Sequence, residues 1–503
     1  MQVCPSLGHL VSLRELVSDA QITGDANVAV TGCTCDSRQV RGGELFAALV
    51  GSRHDGHDFI AEAAARGCAA VLSERPVPDA LLPCCVVPNA REAYGRICQT
   101  LAGNPSRLLK LIGVTGTNGK TTTSCLIAGV LAAAECRVGI LGTLGYLDGR
   151  VLHPASHTTP PPERLATLLA GMVDNGCTHA VMEVSSHALD QSRVAGVSFD
   201  AACVTNVTQD HLDHHASLRD YRLAKAKLFD HLTGEGFAVL NADDPGSASY
   251  LRQLNGPVLT VAIQAAAEIT ATPIEQCMSE QTFLLTAGSE TVPVRTEMIG
   301  THHIYNCLTA AAVGLTYGIE LTTIARGLES VGHVPGRLER IECGQPFGVF
   351  VDFAHTPAAL SGVLKALRQV TAGRLICVFG TGGECDRKKR PLMGRAVEQA
   401  ANVAILTNDN LRHEDPQAIF HDILSGLQNA NRMEVIPDRV QAIHRALRVA
   451  RPGDCVLIAG KGHEDTQIIG DRRLPLDDRD VARSWLYSEA ETANDRFPMN
   501  RDQ

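Results

Sequence analysis

The sharpest chemical signal in this chain is the stretch Val114-Thr115-Gly116-Thr117-Asn118-Gly119-Lys120-Thr121-Thr122. An apolar run, Leu108 to Ile112, precedes it, and a helix-like run follows through Ala134. Strand, glycine loop, Lys-Thr and helix in that order make a phosphate cradle. Loop N–H groups wrap the phosphates, and the helix N-terminus favours negative charge. Lys120 is placed to reach the β- and γ-phosphates, and the Thr121 hydroxyl to ligate Mg²⁺. The common P-loop spacing has Gly where Val114 stands. The strand before and the helix after separate this stretch from an ordinary Gly/Thr turn and predict a nucleoside triphosphate site.

Other reactive residues cluster after apolar runs. Glu183-Val184-Ser185-Ser186-His187 ends one such run, at the sheet edge where open α/β sheets bind ligands; a carboxylate there is a natural Mg²⁺ ligand. Thr205-Asn206-Val207 ends the next run, followed by Asp210-His211-Leu212-Asp213-His214-His215. That histidine density raises zinc, but no Cys or HExxH partner accompanies it. The expectation is a single histidine beside Mg²⁺ or phosphate, with the others at the surface. On a helical wheel, Tyr221, Ala224, Leu228, Phe229 and Leu232 share an apolar face that also contains Lys225, whereas Arg222, Lys227 and Asp230 fall outside it. A lysine on an inward face usually snorkels. Near a metal its charge would repel. Burial lowers its pKa and frees the amine to take up CO₂ as a carbamate, which reverses the sign and makes it a ligand. Further on, Asp352-Phe353-Ala354-His355-Thr356-Pro357 is suited to holding a ribose and orienting phosphates. Asp409-Asn410-Leu411-Arg412-His413-Glu414 offers an arginine for bidentate carboxylate recognition, and Gly460-Lys461-Gly462-His463-Glu464-Asp465 offers a carboxylate, Glu464, for an ammonium group. A zwitterionic amino acid needs both.

These loops need a scaffold of strands. From Leu108 onward, apolar segments at Lys110–Val114, Arg137–Gly142, His179–Val184, Ala201–Val207 and Phe237–Leu240 alternate with amphipathic helices, which predicts a mostly parallel sheet covered on both faces. Residues 268–299 read as a β-meander insertion, and helices follow from His303 to Ser330. Past Pro335-Gly336-Arg337, strands at Gly348–Phe353, Leu375–Gly380, Asn402–Thr407 and Cys455–Ala459 predict a second, Rossmann-like α/β unit. The first hundred residues mix short strands and helices up to a linker at Gly103-Asn104-Pro105-Ser106. The expected fold is α/β with three domains: residues 1–106, a small N-terminal α/β domain; residues 107–335, a P-loop-type ATP-binding domain; residues 336–503, an amino-acid-binding domain.

Composition bounds the alternatives. The 503 residues are 45% hydrophobic with a net charge of −10, so the chain buries several cores and offers no basic stripe for nucleic acid. The densest basic run, residues 387–390, reads as a solvated face or anion clamp. Seventeen cysteines without paired CxxC motifs fit a reducing cytoplasm rather than a zinc ribbon. No apolar run reaches about 18 residues and no secretory leader is visible. The expectation is a soluble, cytoplasmic protein.

Taken together, the motifs resemble the Mur ligases, specifically the MurE type, which adds the third amino acid of the peptidoglycan stem peptide. Asp36-Ser37-Arg38 with Gly43-Glu44-Leu45-Phe46 looks like that family's UDP-binding first domain, and Thr115, Gly116, Thr117, Asn118, Gly119, Lys120 and Thr121 match its phosphate loop. His157-Thr158-Thr159-Pro160, Ser185, Gln191 and Arg193 look like its contacts to the UDP-muramoyl peptide. Tyr221–Lys225 matches its carbamylated-lysine helix and Asn306 its adenine-side asparagine. Gly336-Arg337-Leu338-Glu339 with Asp352 and His355 match its later nucleotide contacts. The resemblance implies Thr121, Glu183, His211 and carbamylated Lys225 around Mg²⁺, with Lys120, Lys225 and His211 catalytic. It implies Asn410, Arg412, Gly460 and Glu464 around the incoming amino acid.

Departures concern that amino acid. The diaminopimelate motif Asp-Asn-Pro-Arg has Leu411 for its Pro. The Gly-Gly-Asp-Arg-Asp loop appears as Gly382-Gly383-Glu384-Cys385-Asp386, so Cys385 replaces an arginine, with Arg387 and Lys388 the replacements at hand. His303 and Phe353 stand where the family usually has Asn and Tyr. The implied reaction joins meso-2,6-diaminopimelate to UDP-N-acetylmuramoyl-L-alanyl-D-glutamate through an acyl phosphate at the expense of ATP, in a monomer that binds neither membrane nor nucleic acid. The alternatives are the same ligase using L-lysine, which Arg412 opposes by charge, and a folylpolyglutamate-synthase-like ligase, which leaves the UDP-type first domain unexplained. A nucleotide-dependent binding module without catalysis would not need Lys225 on an inward face.

Overall fold

The computed structural model describes residues 11–17, 20–51, 54–77, 82–210, 214–429 and 432–496, without side chains for 489–496. In the N-terminal part, five strands lie in the spatial order Gln21–Thr23, Cys84–Val86, Ala70–Ser73, Leu45–Ala47, Cys33–Thr34, the first antiparallel and the rest parallel.

The central unit is built on β1 (Lys110–Thr115), followed by α1 (Lys120–Ala133), β2 (Val138–Gly142), β3 (His179–Glu183), β4 (Phe199–Val204), α2 (Leu218–Ala226), β5 (Leu232–Asn241) and β6 (Val258–Ala262). Its sheet runs β2-β3-β1-β4-β5-β6 in parallel. Alternation along β1 explains the two covered faces. Leu111 packs with Leu165, Leu169 and Met172 of the helix Pro162–Asp174. Ile112, its neighbour, points the other way, toward Leu126 and Val130 of α1. Gly113 is small because a β-carbon there would meet the Phe199 ring at 2.9 Å.

The segment expected as a β-meander insertion forms one, and it continues the central sheet. β7 (Ile269–Gln276) pairs parallel with β6, and β8 (Gln281–Ala287) and β9 (Glu290–Thr296) follow antiparallel, giving eleven strands among the described residues, with the hairpin Gly145–Leu147/Leu152–His153 at the far edge. Helices α3 (Thr301–Thr316) and α4 (Leu321–Glu329) pack back onto α1.

The C-terminal unit contains β10 (Gly348–Asp352), α5 (Pro357–Val370), β11 (Leu375–Phe379), β12 (Val403–Leu406), β13 (Met433–Val435) and β14 (Cys455–Ala459), in the sheet order β10-β14-β11-β12-β13 with the antiparallel edge Glu339–Arg340. Cys377 and Phe379 face one core, Ile376 and Val378 the other. Caps fix where the functional loops stop. Ser185, Ser217 and Thr356 each accept a backbone N–H of the helix they precede, and Pro357 sits in the first turn.

Candidate active site

Strands β1, β3 and β4 end side by side, Val114 beside Glu183 and Thr115 beside Val204. Whatever follows them therefore converges at one sheet edge. A cavity of about 630 Å³ opens there, lined by residues 117–122, Thr143, Glu183, Asn206, Asp210 and Asn306 and, across the cleft, by Arg337, Asp352 and His355. The loop glycines are required. Gly116 (φ 147°) and Gly119 (φ 86°) sit in backbone that L residues avoid. A β-carbon would fall 1.9 Å from the Thr205 hydroxyl at the first and 2.6 Å from Asn306 Oδ1 at the second.

Lys120 Nζ curls back over the loop, donating to the carbonyls of Gly116 (2.9 Å) and Thr117 (3.0 Å). Thr121 Oγ1 donates to Glu183 Oε2 at 3.0 Å and accepts from Arg337 Nη2 at 3.1 Å. Asn118 N donates to Asn206 Oδ1 at 3.0 Å, the Thr205 hydroxyl donates to the Thr115 carbonyl at 3.3 Å, and Asn306 Oδ1 accepts from Thr123 Oγ1 at 3.1 Å. Thr143 was not singled out from the sequence, yet its N–H (2.8 Å) and hydroxyl (3.1 Å) hold the two Glu183 oxygens. Its place one residue past the apolar run ending at Gly142 was the available signal.

Lys225 is 1% exposed. Its Nζ donates to the Gly116 carbonyl at 2.9 Å and lies 4.5 Å over the Tyr221 ring, whose hydroxyl meets Thr117 Oγ1 at 3.1 Å. Burial, and next the charge of Lys120, hold the Lys225 amine well below its usual pKa against the pull of Asp210. Burial also lowers Lys120, with Glu183 and Asp210 opposing. Across the cleft, Arg337 stacks 4.6 Å over Phe353. Asp352 accepts from Leu338 N (2.6 Å) and Ala354 N (2.7 Å), yet burial raises its carboxyl to about 6. Burial lowers both His302 and His355 to about 4, and His355 Nδ1 lies 2.7 Å from the Phe353 carbonyl. Burial, and next the charges of His302 and Arg337, hold His303 well below its usual pKa.

Of the residues expected for the UDP-linked substrate, Thr158, Thr159, Ser185 and Arg193 line the same cavity, and Gln191 lines a smaller pocket beside it. Thr158 Oγ1 meets Thr143 Oγ1 at 3.1 Å, Thr159 Oγ1 donates to the Glu183 carbonyl at 2.8 Å, and Ser185 N donates to Thr159 Oγ1 at 3.0 Å. Arg193 donates to the Thr159 carbonyl at 3.0 Å and to Gln191 Oε1 at 2.8 and 3.1 Å. Arg193 and His157 also line a 190 Å³ pocket reaching Cys35, Tyr94 and Glu163, which links the cavity to the N-terminal unit. Ser37 lines neither; its hydroxyl donates to Glu62 at 2.7 Å.

The amino-acid group forms its own cluster away from the cavity walls. Asn410 Nδ2 donates to Glu464 Oε2 at 2.8 Å, and Arg412 donates to the Gly383 carbonyl (3.0 Å) and toward Cys385 Sγ (3.5 Å). Gly460 (φ 118°) leaves room for Asp409, whose Oδ2 would lie 2.7 Å from a β-carbon. Lys461, missed in the sequence, is fully buried and donates to Glu464 Oε2 at 2.9 Å and Asn410 Oδ1 at 3.3 Å. Glu464 therefore already carries one cation. Leu338, Arg412 and Glu384 hold positive φ angles of 48°, 52° and 55°, strain of the kind that gathers at binding loops.

His211 lies outside the described residues. The expectation that the other histidines are surface groups fails at His215, which is 5% exposed and packs 5.3 Å from the Tyr221 ring. Arg387, a candidate replacement for the missing arginine, is exposed and paired with Asp422 at 2.9 Å.

Comparison with known proteins matches these parts one by one. Residues 29–100 match the Mur ligase family catalytic domain, 114–314 the Mur ligase middle domain, and 336–462 the Mur ligase glutamate ligase domain. The UDP-N-acetylmuramoyl-L-alanyl-D-glutamate–2,6-diaminopimelate ligase of Geobacillus thermodenitrificans is 43% identical over 465 residues, covering 91% of this chain and 95% of that protein. The Bacillus cereus ligase of the same name is 40% identical, covering 95% and 98%. A solved structure of a ligase so named superposes with a TM-score of 0.69 at 33% identity, covering 96% of this chain and all of that one. Likeness over nearly the whole length, with the phosphate loop and its partners in place, shows that this chain belongs to the Mur ligase family.

Proposed function

We propose that this protein is an ATP-dependent amide ligase that joins meso-2,6-diaminopimelate to UDP-N-acetylmuramoyl-L-alanyl-D-glutamate, a step of peptidoglycan precursor synthesis. The observation that carries the reading is the Lys120–Thr121–Glu183 cradle facing Arg337 and Asp352 across one cavity, in a chain whose relatives bear that name. The substrate carboxylate attacks the γ-phosphate of ATP, giving an acyl phosphate and ADP. The neutral amine of the amino acid then displaces phosphate. Lys120 offsets the repulsion between the two anions in the first step.

The buried oxygens of Thr121 and Glu183, 3.0 Å apart, fit a hard cation, and Mg²⁺ bound there supplies charge neutralisation to the phosphates. His211 and Lys225 complete the proposed metal group. The depressed Lys225 amine adds to CO₂, forming an N–C bond and releasing a proton, and the product is an anionic carbamate. Thr158, Thr159, Ser185, Gln191, Arg193 and Ser37 are assigned to the UDP-linked substrate. Asn306, Arg337, Asp352 and His355 are assigned to the nucleotide. Asn410, Arg412, Gly460 and Glu464 are assigned to the amino acid. The amino-acid cluster stands apart from the cavity, so closure of the C-terminal domain brings the amine to the acyl phosphate and excludes water. The proposed domain limits are 1–106, 107–335 and 336–503; each of the three matched segments, 29–100, 114–314 and 336–462, falls within one of them and supports the division.

No helix among the described residues is long and apolar enough to cross a membrane. The proposed enzyme acts as a monomer in the cytoplasm. The test is phosphate release with ATP, Mg²⁺ and UDP-N-acetylmuramoyl-L-alanyl-D-glutamate, comparing meso-diaminopimelate with L-lysine. Turnover with diaminopimelate alone is expected. Turnover with lysine alone would overturn the role given to Arg412, and no turnover with either would overturn the function.

A further inference from the structure

We infer that Asp190, His214 and His215 form a second cation site, one for a transition metal of the zinc class, separate from the Mg²⁺ group at Thr121 and Glu183. Asp190 ends the short helix Ser186–Asp190, and the two histidines lie just before α2. One ring nitrogen from each histidine and one carboxylate oxygen of Asp190 all lie within 4.8 Å of one another. His214 Nε2 is already 3.0 Å from Asp190 Oδ2. Ligand atoms around a tetrahedral ion, at about 2.0–2.2 Å from it, stand roughly 3.4 Å apart. The three groups therefore close on an ion with side-chain shifts of about an ångström.

The donor set selects the metal. A site with two imidazoles among three ligands suits Zn²⁺, Co²⁺ or Ni²⁺, whereas Mg²⁺ prefers a site made mainly of oxygen ligands. Three protein ligands leave a fourth position for water. Access is open, since the side chains of His214 and Asp190 are 28% and 43% exposed while His215 is buried. One charge opposes binding: Lys227 Nζ lies 3.3 Å from Asp190 Oδ1, on a half-exposed side chain that can swing into solvent.

The site is wired to the catalytic cavity. The His214 ring stacks 4.1 Å from His187, a cavity-lining residue. His215 packs on Tyr221, which holds the Thr117 hydroxyl and lies under Lys225. An ion here would pin the segment ahead of α2 against the helix that carries His187.

The test uses the full chain, stripped with chelator and kept in excess Mg²⁺. Zn²⁺ is followed by calorimetry and Co²⁺ by its visible absorption. The expected result is one Zn²⁺ bound per chain, with intense Co²⁺ bands of a low-coordinate nitrogen–oxygen site. His214→Phe keeps the ring stack and Asp190→Asn keeps the shape; each should weaken Zn²⁺ by about a hundredfold and abolish the Co²⁺ bands. Lys227→Met should tighten binding. Failure of the wild-type chain to bind Zn²⁺ over excess Mg²⁺, or Zn²⁺ and Co²⁺ behaviour unchanged in both ligand variants, would overturn the site.

Discussion

Replacing Lys225 with methionine should separate what this residue does for the fold from what it does for the reaction. Methionine has a similar length, so no large cavity forms. The bond lost is the one to the Gly116 carbonyl, but that oxygen also accepts from Lys120. It is not orphaned, and the loss is about 1 kcal/mol. Against this, the amine no longer has to be buried beside another lysine, a relief of about 1–3 kcal/mol on the scale for imperfectly compensated polar groups. The net expectation is a gain of about 1 kcal/mol, which for a unit of 150–250 residues raises Tm by about 2–4 °C.

The pH dependence follows from the depressed amine. Between its lowered folded pKa and the ordinary 10.5, the unfolded chain holds the extra proton, so wild-type stability climbs with pH and the variant lacks that rise. The Tm gap in favour of Lys225→Met should therefore shrink from pH 7 to pH 9 in bicarbonate-free buffer. Phosphate release should fall by about a hundredfold or more, as for loss of a metal-site residue. In Lys225→Ala, a small carboxylic acid should restore part of it while bicarbonate should not. Wild-type turnover in the methionine variant, or a Tm gap that does not move with pH, would refute the reasoning.

Gly336 (φ 64°) packs so closely that a β-carbon would sit 2.0 Å from His463 N. Gly336→Ala must shift backbone between Arg337 and the loop at Gly462, and turnover should drop by about a hundredfold; an unchanged kcat would contradict the packing argument. Arg439 and Asp478 are both fully buried and bonded at 2.7 and 2.8 Å. Asp478→Asn should destabilise the C-terminal unit by about 3–5 kcal/mol, read by denaturant unfolding, and a midpoint within error of wild type would show the pair to be dispensable. Arg412→Lys loses the planar fork. In steady-state kinetics KM for diaminopimelate should rise by about tenfold or more with kcat less affected, and an unchanged KM would remove Arg412 from the pocket.

The phosphate loop was legible in the amino-acid order because its parts are consecutive: glycines at special φ, Lys-Thr, and a helix that starts at once. Lys225 was legible for a related reason, since helical periodicity alone puts it on the face of Tyr221 and Leu228. The strand ends carrying Glu183, Asp352 and Arg412 could be found from apolar runs. Partners could not, because pairing across the fold has no local signature. Nothing near Lys461 announces that its amine will lie against Asn410, and nothing near Thr143 announces both Glu183 oxygens. The meander at 269–296 reads the same whether it stands alone or, as here, pairs through β7 with β6. His215 looked like one more polar loop residue until Tyr221 packed against it. Sequence by itself thus determined the kinds of groups and the edges on which they sit, since both follow from short-range sterics and periodicity. Only the tertiary structure decided which groups meet, how deeply they are buried and hence which charges they can keep, because those depend on surfaces contributed by residues far apart in the chain.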